Sequence, residues 1–212
     1  MKEKEEERLT NLKKYEENLF NEGLKYICGI DEAGRGPLAG PVVVGAVVMP
    51  RDSKLEFMND SKKVTAKRRD ILYDEIKETA IAYGIGIVSQ DIIDEINILN
   101  ATKKGLHEAL GQIIEKLKTK PDIVIVDALR EIDTFGITYE SIIKGDATCY
   151  SISAASILAK VTRDRIMEEW DQIYPQYGFK SHKGYGTAKH IAAIKQYGPC
   201  PLHRKTFITH FV

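Results

Sequence analysis

The fold is decided by residues 26–49, which read YICGIDEAGRGPLAGPVVVGAVVM. A short apolar run opens this segment, predicts a strand and leads directly into Asp31 and Glu32. Three glycines and a proline lie between Ala33 and Gly40, which is typical of a turn or loop. Residues 41–49 are mostly valine and alanine, so they predict a second strand that is buried on both faces.

Outward from this segment, the periodicity of apolar residues predicts further elements. We expect helices over residues 3–22, 65–79, 100–118, 151–173 and 187–196, and strands over residues 81–89, 122–127 and 137–143. Three strands come first, then strands alternating with helices, and then helices. This order predicts an α/β protein with a mixed β-sheet flanked by helices and a helical C-terminal part.

Size and composition are those of an ordinary globular chain. It has 212 residues, of which 43% are hydrophobic and 29% charged, enough to bury a core without disulfides or a metal. We divide it into an N-terminal helix (1–22) and a single domain (23–212), whose residues from about 175 to 212 form a helical substrate-binding part. The first helix either contributes to ligand binding or simply packs against the single domain.

The expected compartment is the cytoplasm. The N-terminus, MKEKEEERLTNLKK, has no apolar stretch of the kind found in signal peptides, and no apolar run is long enough to cross a membrane. The three cysteines (Cys28, Cys149, Cys200) form no C-x-x-C pair, so we expect free thiols rather than disulfides or a zinc ribbon. We also expect a monomer.

A net charge of zero hides an uneven distribution along the chain. Ten Lys and Arg stand against five Asp and Glu from Lys144 to the end, so the earlier part is acidic. A basic part beside an acidic one suits a protein that holds a polyanion and a cation. The alternative is an ordinary fluctuation of charge along a chain.

Carboxylates follow three of the predicted strands. Asp31, Asp127 and Asp146 each come after an apolar run, and the strand ends of such sheets converge on a ligand-binding crevice. Clustered carboxylates suit hard cations, so two Mg²⁺ or Mn²⁺ ions could bind here and promote hydrolysis of a phosphodiester. Each acid taken singly is better explained as a strand-end cap or a loop residue, whereas the set is not, because Asp31 and Glu32 adjoin a glycine loop and Asp146 lies in Lys-Gly-Asp.

Five blocks of sequence resemble a known family, ribonuclease HII. Residues 29–41 (GIDEAGRGPLAGP) resemble its defining motif. The remaining blocks follow in order at residues 60–63 (DSKK), 126–128 (VDA), 144–146 (KGD) with 153–164 (SAASILAKVTRD), and 182–187 (HKGYGT). The resemblance extends over residues 9–208 and includes the closing Gly198-Pro199 and His203-Arg204.

The resemblance implies a ribonuclease H-like fold and an endonuclease. Such an enzyme cleaves the RNA strand of RNA–DNA hybrids and cuts 5′ of single ribonucleotides in duplex DNA, leaving a 3′-hydroxyl and a 5′-phosphate and so removing misincorporated ribonucleotides. It implies that Asp31, Glu32, Asp127 and Asp146 bind the two metal ions. Asp127 and Arg35 favour this family over the sister family ribonuclease HIII.

The resemblance also implies how the substrate is chosen. Gly34, Arg35 and Gly36 let backbone groups approach a ribose 2′-hydroxyl, while the arginine grips the adjacent phosphate. Tyr185 packs on the deoxyribose that follows the ribonucleotide.

Several basic residues are candidate phosphate contacts, although each fits a solvated surface equally well: Lys62, Lys63, Lys144, Lys160 and Arg163. Asp164 is better explained by an ion pair with Lys160, one helical turn away, than as a metal ligand. The histidines at 182, 190, 203 and 210 are spaced by eight, thirteen and seven residues, which argues against a compact metal site.

Two alternatives remain open at the level of sequence. One is ribonuclease HIII-like cleavage of hybrids, in which single ribonucleotides are poor substrates. The other is a nucleic-acid-binding module on the same fold without catalysis, for which the loss of one acid would be the simplest sign. All four acids are present.

Overall fold

A five-stranded sheet forms the centre of the computed structural model, which describes residues 2–210. The strands are β1 (Ile27–Ala33), β2 (Val42–Val48), β3 (Ala82–Val88), β4 (Ile123–Asp127) and β5 (Tyr139–Ile142). They are ordered β3-β2-β1-β4-β5, with β1 antiparallel to β2 and parallel to β4. The predicted mixed sheet is confirmed.

Eight α-helices surround this sheet or extend from it in the described part of the chain. They are α1 (Lys2–Asn21), α2 (Ala66–Thr79), α3 (Gln90–Leu117), α4 (Gly145–Thr148), α5 (Tyr150–Ile173), α6 (Phe179–His182), α7 (Ala188–Tyr197) and α8 (Lys205–Ile208). A short 3₁₀ helix, Pro175–Tyr177, follows α5. Between residues 2 and 210, no helix is both long and apolar enough to span a bilayer.

The two long helices α5 and α3 cover opposite faces of the sheet. A Cβ on Gly45 of β2 would lie 2.4 Å from the carbonyl oxygen of Ala155 in α5, so only glycine permits this close approach. Val44, the preceding residue, packs against Gly105 of α3 instead. Since neighbouring strand residues point to opposite faces, β2 is buried on both sides, as predicted from its sequence.

Two element boundaries differ from the sequence prediction. Asp31 and Glu32 lie inside β1 rather than after it. Helix α3 begins at Gln90 instead of at residue 100, and Asn97 interrupts it with a φ of 67°. The Asn97 side chain accepts hydrogen bonds from the backbone N–H groups of Leu99 and Asn100. It therefore caps the second half of α3, which corresponds to the predicted helix.

Helix α1 packs on the body and supplies a cap for α5. Leu9 and Leu12 join the core cluster that includes Leu158 of α5. The buried carboxylate of Glu16 accepts hydrogen bonds from the backbone N–H groups of Tyr150 (2.6 Å) and Ser151 (2.9 Å) and from the Ser151 hydroxyl. It satisfies N–H groups that the first turn of a helix leaves without partners, at the positive end of the helix dipole.

Replacing Glu16 with glutamine should destabilise the protein by about 1–3 kcal/mol, because an amide NH₂ would then face backbone donors that need an acceptor. Thermal unfolding measures the loss. The matched control is Glu17→Gln, since Glu17 is partly exposed and pairs with Arg51 at the surface (2.8 Å), where an ion pair contributes about 0–1 kcal/mol. Equal effects of the two substitutions would contradict the capping role.

Candidate active site

The four acids predicted from the sequence come from three neighbouring elements. Parallel pairing of Ile30 with Val126 sets the following residues, Asp31 of β1 and Asp127 of β4, side by side. Asp127 then accepts a hydrogen bond of 2.8 Å from the backbone N–H of Gly145, at the start of α4. This contact brings Asp146, in the first turn of α4, to the same edge of the sheet.

Burial and mutual repulsion disfavour the charged forms of these acids. Burial, reinforced by the charges of Glu32 and Asp127, raises the pKa of Asp31 well above its usual range. Burial also raises the pKa of Glu32, against the opposing effect of Arg35, whose Nη1 lies 3.4 Å from Glu32 Oε1. The pKa of Asp146 is raised by burial and by two neighbouring carboxylates.

The donor chemistry of this cluster fits hard divalent cations. All four groups are carboxylates, which Mg²⁺ and Mn²⁺ prefer, and a cation would relieve the repulsion between them. Within residues 2–210, however, no three Asp, Glu, His or Cys side chains are arranged as a set that could hold an ion. Binding would therefore require these side chains to turn towards a shared centre.

The loop that follows the two acids of β1 is held by a buried arginine. Arg204 is fully buried, and its guanidinium donates hydrogen bonds to the backbone carbonyls of Gly34 (2.6 Å), Arg35 (2.9 Å) and Gly40 (2.8 Å). Gly34 has a φ of 99°, and a Cβ there would lie 2.1 Å from Arg163 Nε. Glycine is thus required at position 34 both for its backbone conformation and for space.

A second buried arginine ties this loop to the segment that carries Tyr185. Arg163 donates to the carbonyls of Ala39 (3.1 Å), Pro41 (2.9 Å) and Lys183 (2.9 Å). Only 1% of its surface is exposed, so its placement does not support the expected contact with phosphate. Arg163 instead supports the two loops from beneath.

Tyr185 faces the glycine loop across a cleft of about 400 Å³. Its side chain is 46% exposed, and its Cε1 lies 3.8 Å from the position that a Cβ on Gly36 would take. Most of the site residues expected from the sequence line this cleft: Asp31, Glu32, Gly34, Arg35, Gly36, Lys62, Lys160, Arg163 and Tyr185. The cleft therefore places carboxylates, glycine loop and tyrosine on one surface.

The predicted lysines are not equivalent. Lys62 lies in the cleft, where Asp60, Asp146 and Asp31 raise its pKa although its partial burial opposes them. Lys160 also lines the cleft, but its Nζ is 2.6 Å from Asp164, which confirms the expected ion pair. Lys63 lines a different groove, and Lys144 is exposed at the start of α4.

The comparisons with known proteins agree with this arrangement. The model of the family described as Ribonuclease HII matches residues 28–210. The chain belongs to the ribonuclease HII family. A ribonuclease HII of Acetivibrio thermocellus is 55% identical over 210 residues, which covers 99% of this chain and 80% of the relative.

Solved structures share the fold. The ribonuclease H2 of Pyrococcus horikoshii OT3 has a TM-score of 0.69 at 30% identity, over 85% of this chain and 93% of that one. A ribonuclease HIII, Bst-RNase HIII in complex with Mn²⁺, has a TM-score of 0.60 at 17% identity, over 82% of this chain and 63% of that one. The fold class expected from the sequence is confirmed.

Membership of the ribonuclease HII family decides between the alternatives left open by the sequence. The chain is a type 2 ribonuclease H, an endonuclease that acts on RNA–DNA. The interpretation as a non-catalytic binding module is therefore wrong. The family match supports ribonuclease HII rather than the HIII-like alternative.

Sequence reasoning missed several residues of this ribonuclease HII site. Arg204 stood in a matching block but had no assigned role, and nothing in its local sequence marks it as buried. Asp60 adds a fifth carboxylate, which helps to raise the pKa of Asp146, and its Oδ1 accepts a hydrogen bond of 2.9 Å from the N–H of Lys62. Ser156 lines the cleft and bonds Ser61 (2.9 Å).

Replacing Asp31 with asparagine should stabilise the metal-free enzyme at neutral pH, because the amide is not ionised and so avoids the cost of a buried, repelled charge. The folded-state pKa of Asp31 is raised, so in the pH range between its unfolded-state and folded-state pKa values the folded chain holds a proton that the unfolded chain has lost. The stability of the wild type should therefore fall as the pH rises through that folded-state pKa, whereas the variant should lack this part of the fall.

Thermal unfolding in a chelator, from about pH 4 to pH 8, measures both effects. Asp70→Asn is the control, because Asp70 pairs with Arg165 at the surface, outside the cluster (3.2 Å). Identical pH profiles for the wild type and Asp31→Asn would show that Asp31 is not a strained carboxylate.

Proposed function

We propose that this ribonuclease HII cuts duplex DNA on the 5′ side of a single embedded ribonucleotide and also cleaves the RNA strand of hybrids, leaving a 3′-hydroxyl and a 5′-phosphate. Its role is to remove misincorporated ribonucleotides. The observation that carries this proposal is one cleft in which acids, a glycine loop and a tyrosine face each other. Such a cleft joins a hydrolytic centre to two groups that can read adjacent sugars.

Asp31, Glu32, Asp127 and Asp146 are proposed as the residues that hold two divalent ions, Mg²⁺ or Mn²⁺. A related fold, Bst-RNase HIII, is known in complex with Mn²⁺. When bound there, such ions would activate the attacking water and stabilise the leaving 3′ oxygen. The chain itself supplies the carboxylates, and Lys62 and Arg35 supply positive charge beside the phosphate.

Gly34, Arg35 and Gly36 are proposed to read the ribose. Arg204 holds the carbonyls of Gly34 and Arg35, so the loop presents its remaining backbone groups in a fixed geometry. A 2′-hydroxyl can both donate and accept hydrogen bonds, and it distinguishes RNA from DNA. In this scheme it is recognised and does not attack, so no cyclic phosphate forms.

Tyr185 is proposed to pack on the next sugar, where a deoxyribose offers an apolar 2′ position. Its exposed ring lies beside Gly36, so Tyr185 and the glycine loop would contact successive nucleotides. Lys63, Lys144 and Lys160 remain proposed phosphate contacts along the duplex. The cytoplasm remains the proposed compartment, in keeping with three free cysteines, and the monomeric state remains a prediction.

A duplex DNA with one ribonucleotide should be cut once, on the 5′ side of the ribose, to give a 3′-hydroxyl and a 5′-phosphate. Gel analysis with phosphatase and cyclic-phosphate standards identifies these ends. A 2′-O-methyl sugar at the same position should block the cut through lost recognition. A 2′,3′-cyclic end, or comparable cutting of an all-DNA duplex, would overturn the mechanism.

The same assay tests the acids. Asp127→Asn should leave at most a few per cent of the activity while duplex binding persists, because cationic groups rather than carboxylates attract phosphates. Asp70→Asn, a surface substitution outside the cleft, should retain full activity. Substantial cleavage by Asp127→Asn would remove it from the metal-binding set.

Tyr185→Ala should lower kcat/KM on the single-ribonucleotide duplex far more than Tyr185→Phe does. Packing on a sugar needs the ring, whereas the hydroxyl is secondary, and the loss of a base stacked on an aromatic ring, the nearest comparison, costs about 1–3 kcal/mol. Equal losses in both variants would instead indicate a hydrogen bond from the hydroxyl.

A further inference from the structure

Two buried histidines connect Tyr185 to the C-terminal part of the chain. His190 Nδ1 lies 2.9 Å from the carbonyl oxygen of Tyr185, and His190 Nε2 lies 3.0 Å from His203 Nε2. His203 Nδ1 lies 2.9 Å from the backbone nitrogen of Cys200. The two histidines lie thirteen residues apart, and the fold brings their rings into contact, although the sequence spacing had argued only against a compact metal site.

The partners of these rings determine where their protons lie. A carbonyl oxygen only accepts, so His190 Nδ1 must carry the proton that bonds Tyr185. In a neutral imidazole the other nitrogen, His190 Nε2, is then an acceptor, and His203 Nε2 must be the donor. This leaves His203 Nδ1 as the acceptor for the N–H of Cys200, which at 2.9 Å is also closer than the Cys200 carbonyl oxygen at 3.2 Å. One direction of donation therefore runs from Cys200 to Tyr185.

Both rings are neutral under ordinary conditions. Burial lowers the pKa of His190 to about 4 and also lowers that of His203. Protonation of His190 would place hydrogens on both facing Nε2 atoms, 3.0 Å apart, and protonation of His203 would place a hydrogen on Nδ1, facing the N–H of Cys200 at 2.9 Å. The chain of hydrogen bonds is therefore complete only in the neutral forms.

A third histidine, His182, is also held by backbone hydrogen bonds, but its partners are Tyr177 and Gly184 instead of Tyr185. His182 Nε2 lies 2.8 Å from the carbonyl of Tyr177, so it donates, and His182 Nδ1 accepts from the N–H of Gly184 (3.2 Å). Its ring stacks on that of His190, with centroids 4.4 Å apart. Every ring nitrogen of the three histidines is thus used inside the protein, which leaves none for a metal.

We propose that His190 and His203 are positioning residues that set the backbone of Tyr185, and through it the preference for a ribonucleotide followed by deoxyribose. The inference rests on the proposed function of Tyr185. His190 of α7, supported by His203, would hold the backbone carbonyl of Tyr185, while Arg163 holds the backbone carbonyl of Lys183. The histidines touch no substrate and act only through Tyr185.

The proton arrangement can be tested without any substrate. Long-range ¹H–¹⁵N NMR of the imidazole nitrogens should find His190 protonated at Nδ1 and His203 protonated at Nε2 at neutral pH. A proton on His190 Nε2, or a doubly protonated ring at that pH, would overturn the inference whatever the enzyme cleaves.

Crossed substitutions test the functional role. Asparagine at position 190 keeps an amide donor near the place of Nδ1, whereas glutamine places its amide near Nε2. At position 203 the order reverses, because the required donor is Nε2 and glutamine supplies it. His190→Asn and His203→Gln should therefore keep the substrate preference, while His190→Gln and His203→Asn should lower it by about tenfold, the scale of one lost buried hydrogen bond.

The preference is measured as the ratio of kcat/KM on the single-ribonucleotide duplex to kcat/KM on a uniform hybrid of the same sequence. Thermal unfolding of all four variants reports stability separately. A preference that follows stability, or that depends on residue size rather than on the crossed pattern, would overturn the positioning role. In a Tyr185→Ala background, His190→Gln should change the ratio no further, and an additional loss there would also refute coupling through Tyr185.

The wild-type ratio separates this inference from the function on which it rests. If the wild type fails to prefer the single ribonucleotide, the proposed role of Tyr185 is wrong, and the NMR result still decides the hydrogen-bond chain. If the wild type shows the preference and the crossed pattern is absent, only the role of the histidines is wrong.

Discussion

The site depends on two buried guanidinium groups that are solvated by backbone carbonyls instead of acids. Neither Arg163 nor Arg204 forms an ion pair within residues 2–210. Burial lowers their pKa values only to about 10 and about 9, so both remain charged at neutral pH. A buried charge is costly unless its donors are satisfied, and here the satisfying groups belong to residues 34–41 and Lys183. Movement of either loop would leave a charge without partners, so this constraint keeps both loops in place.

Helix α5 links this constraint to the acids. Its N-terminus is capped by Glu16 of α1, and Ser153 in its first turns donates to the carbonyl of Asp146 (2.7 Å). Further along, Ser156 lines the cleft and Arg163 supports the loops. Because one rigid helix carries these contacts, the carboxylates keep a fixed position relative to the loop of residues 34–41 and the segment of residues 183–185.

In the metal-free protein, the ionised form of the acid cluster is energetically unfavourable. Desolvation and mutual repulsion raise the pKa values of Asp31, Glu32 and Asp146. The surrounding sheet keeps these groups together in spite of that cost, as expected at a functional site. Divalent cations would turn the repulsion into attraction, so the strain of the metal-free protein favours their binding.

The sequence by itself determined the mixed sheet and the family and singled out four acids as candidate metal ligands, because these follow from local periodicity and from contiguous motifs such as residues 29–41. It also predicted the Lys160–Asp164 pair, since residues four apart meet on any helix. Only the tertiary structure decided that Arg163 lies beneath the loops, that Arg204 holds Gly34, and that His190 meets His203. These contacts join residues whose separation along the chain carries no signal about their distance in space. The sequence does not distinguish a buried arginine or histidine from an exposed one. Only the packing around the side chain shows which acceptors its hydrogen-bond donors find.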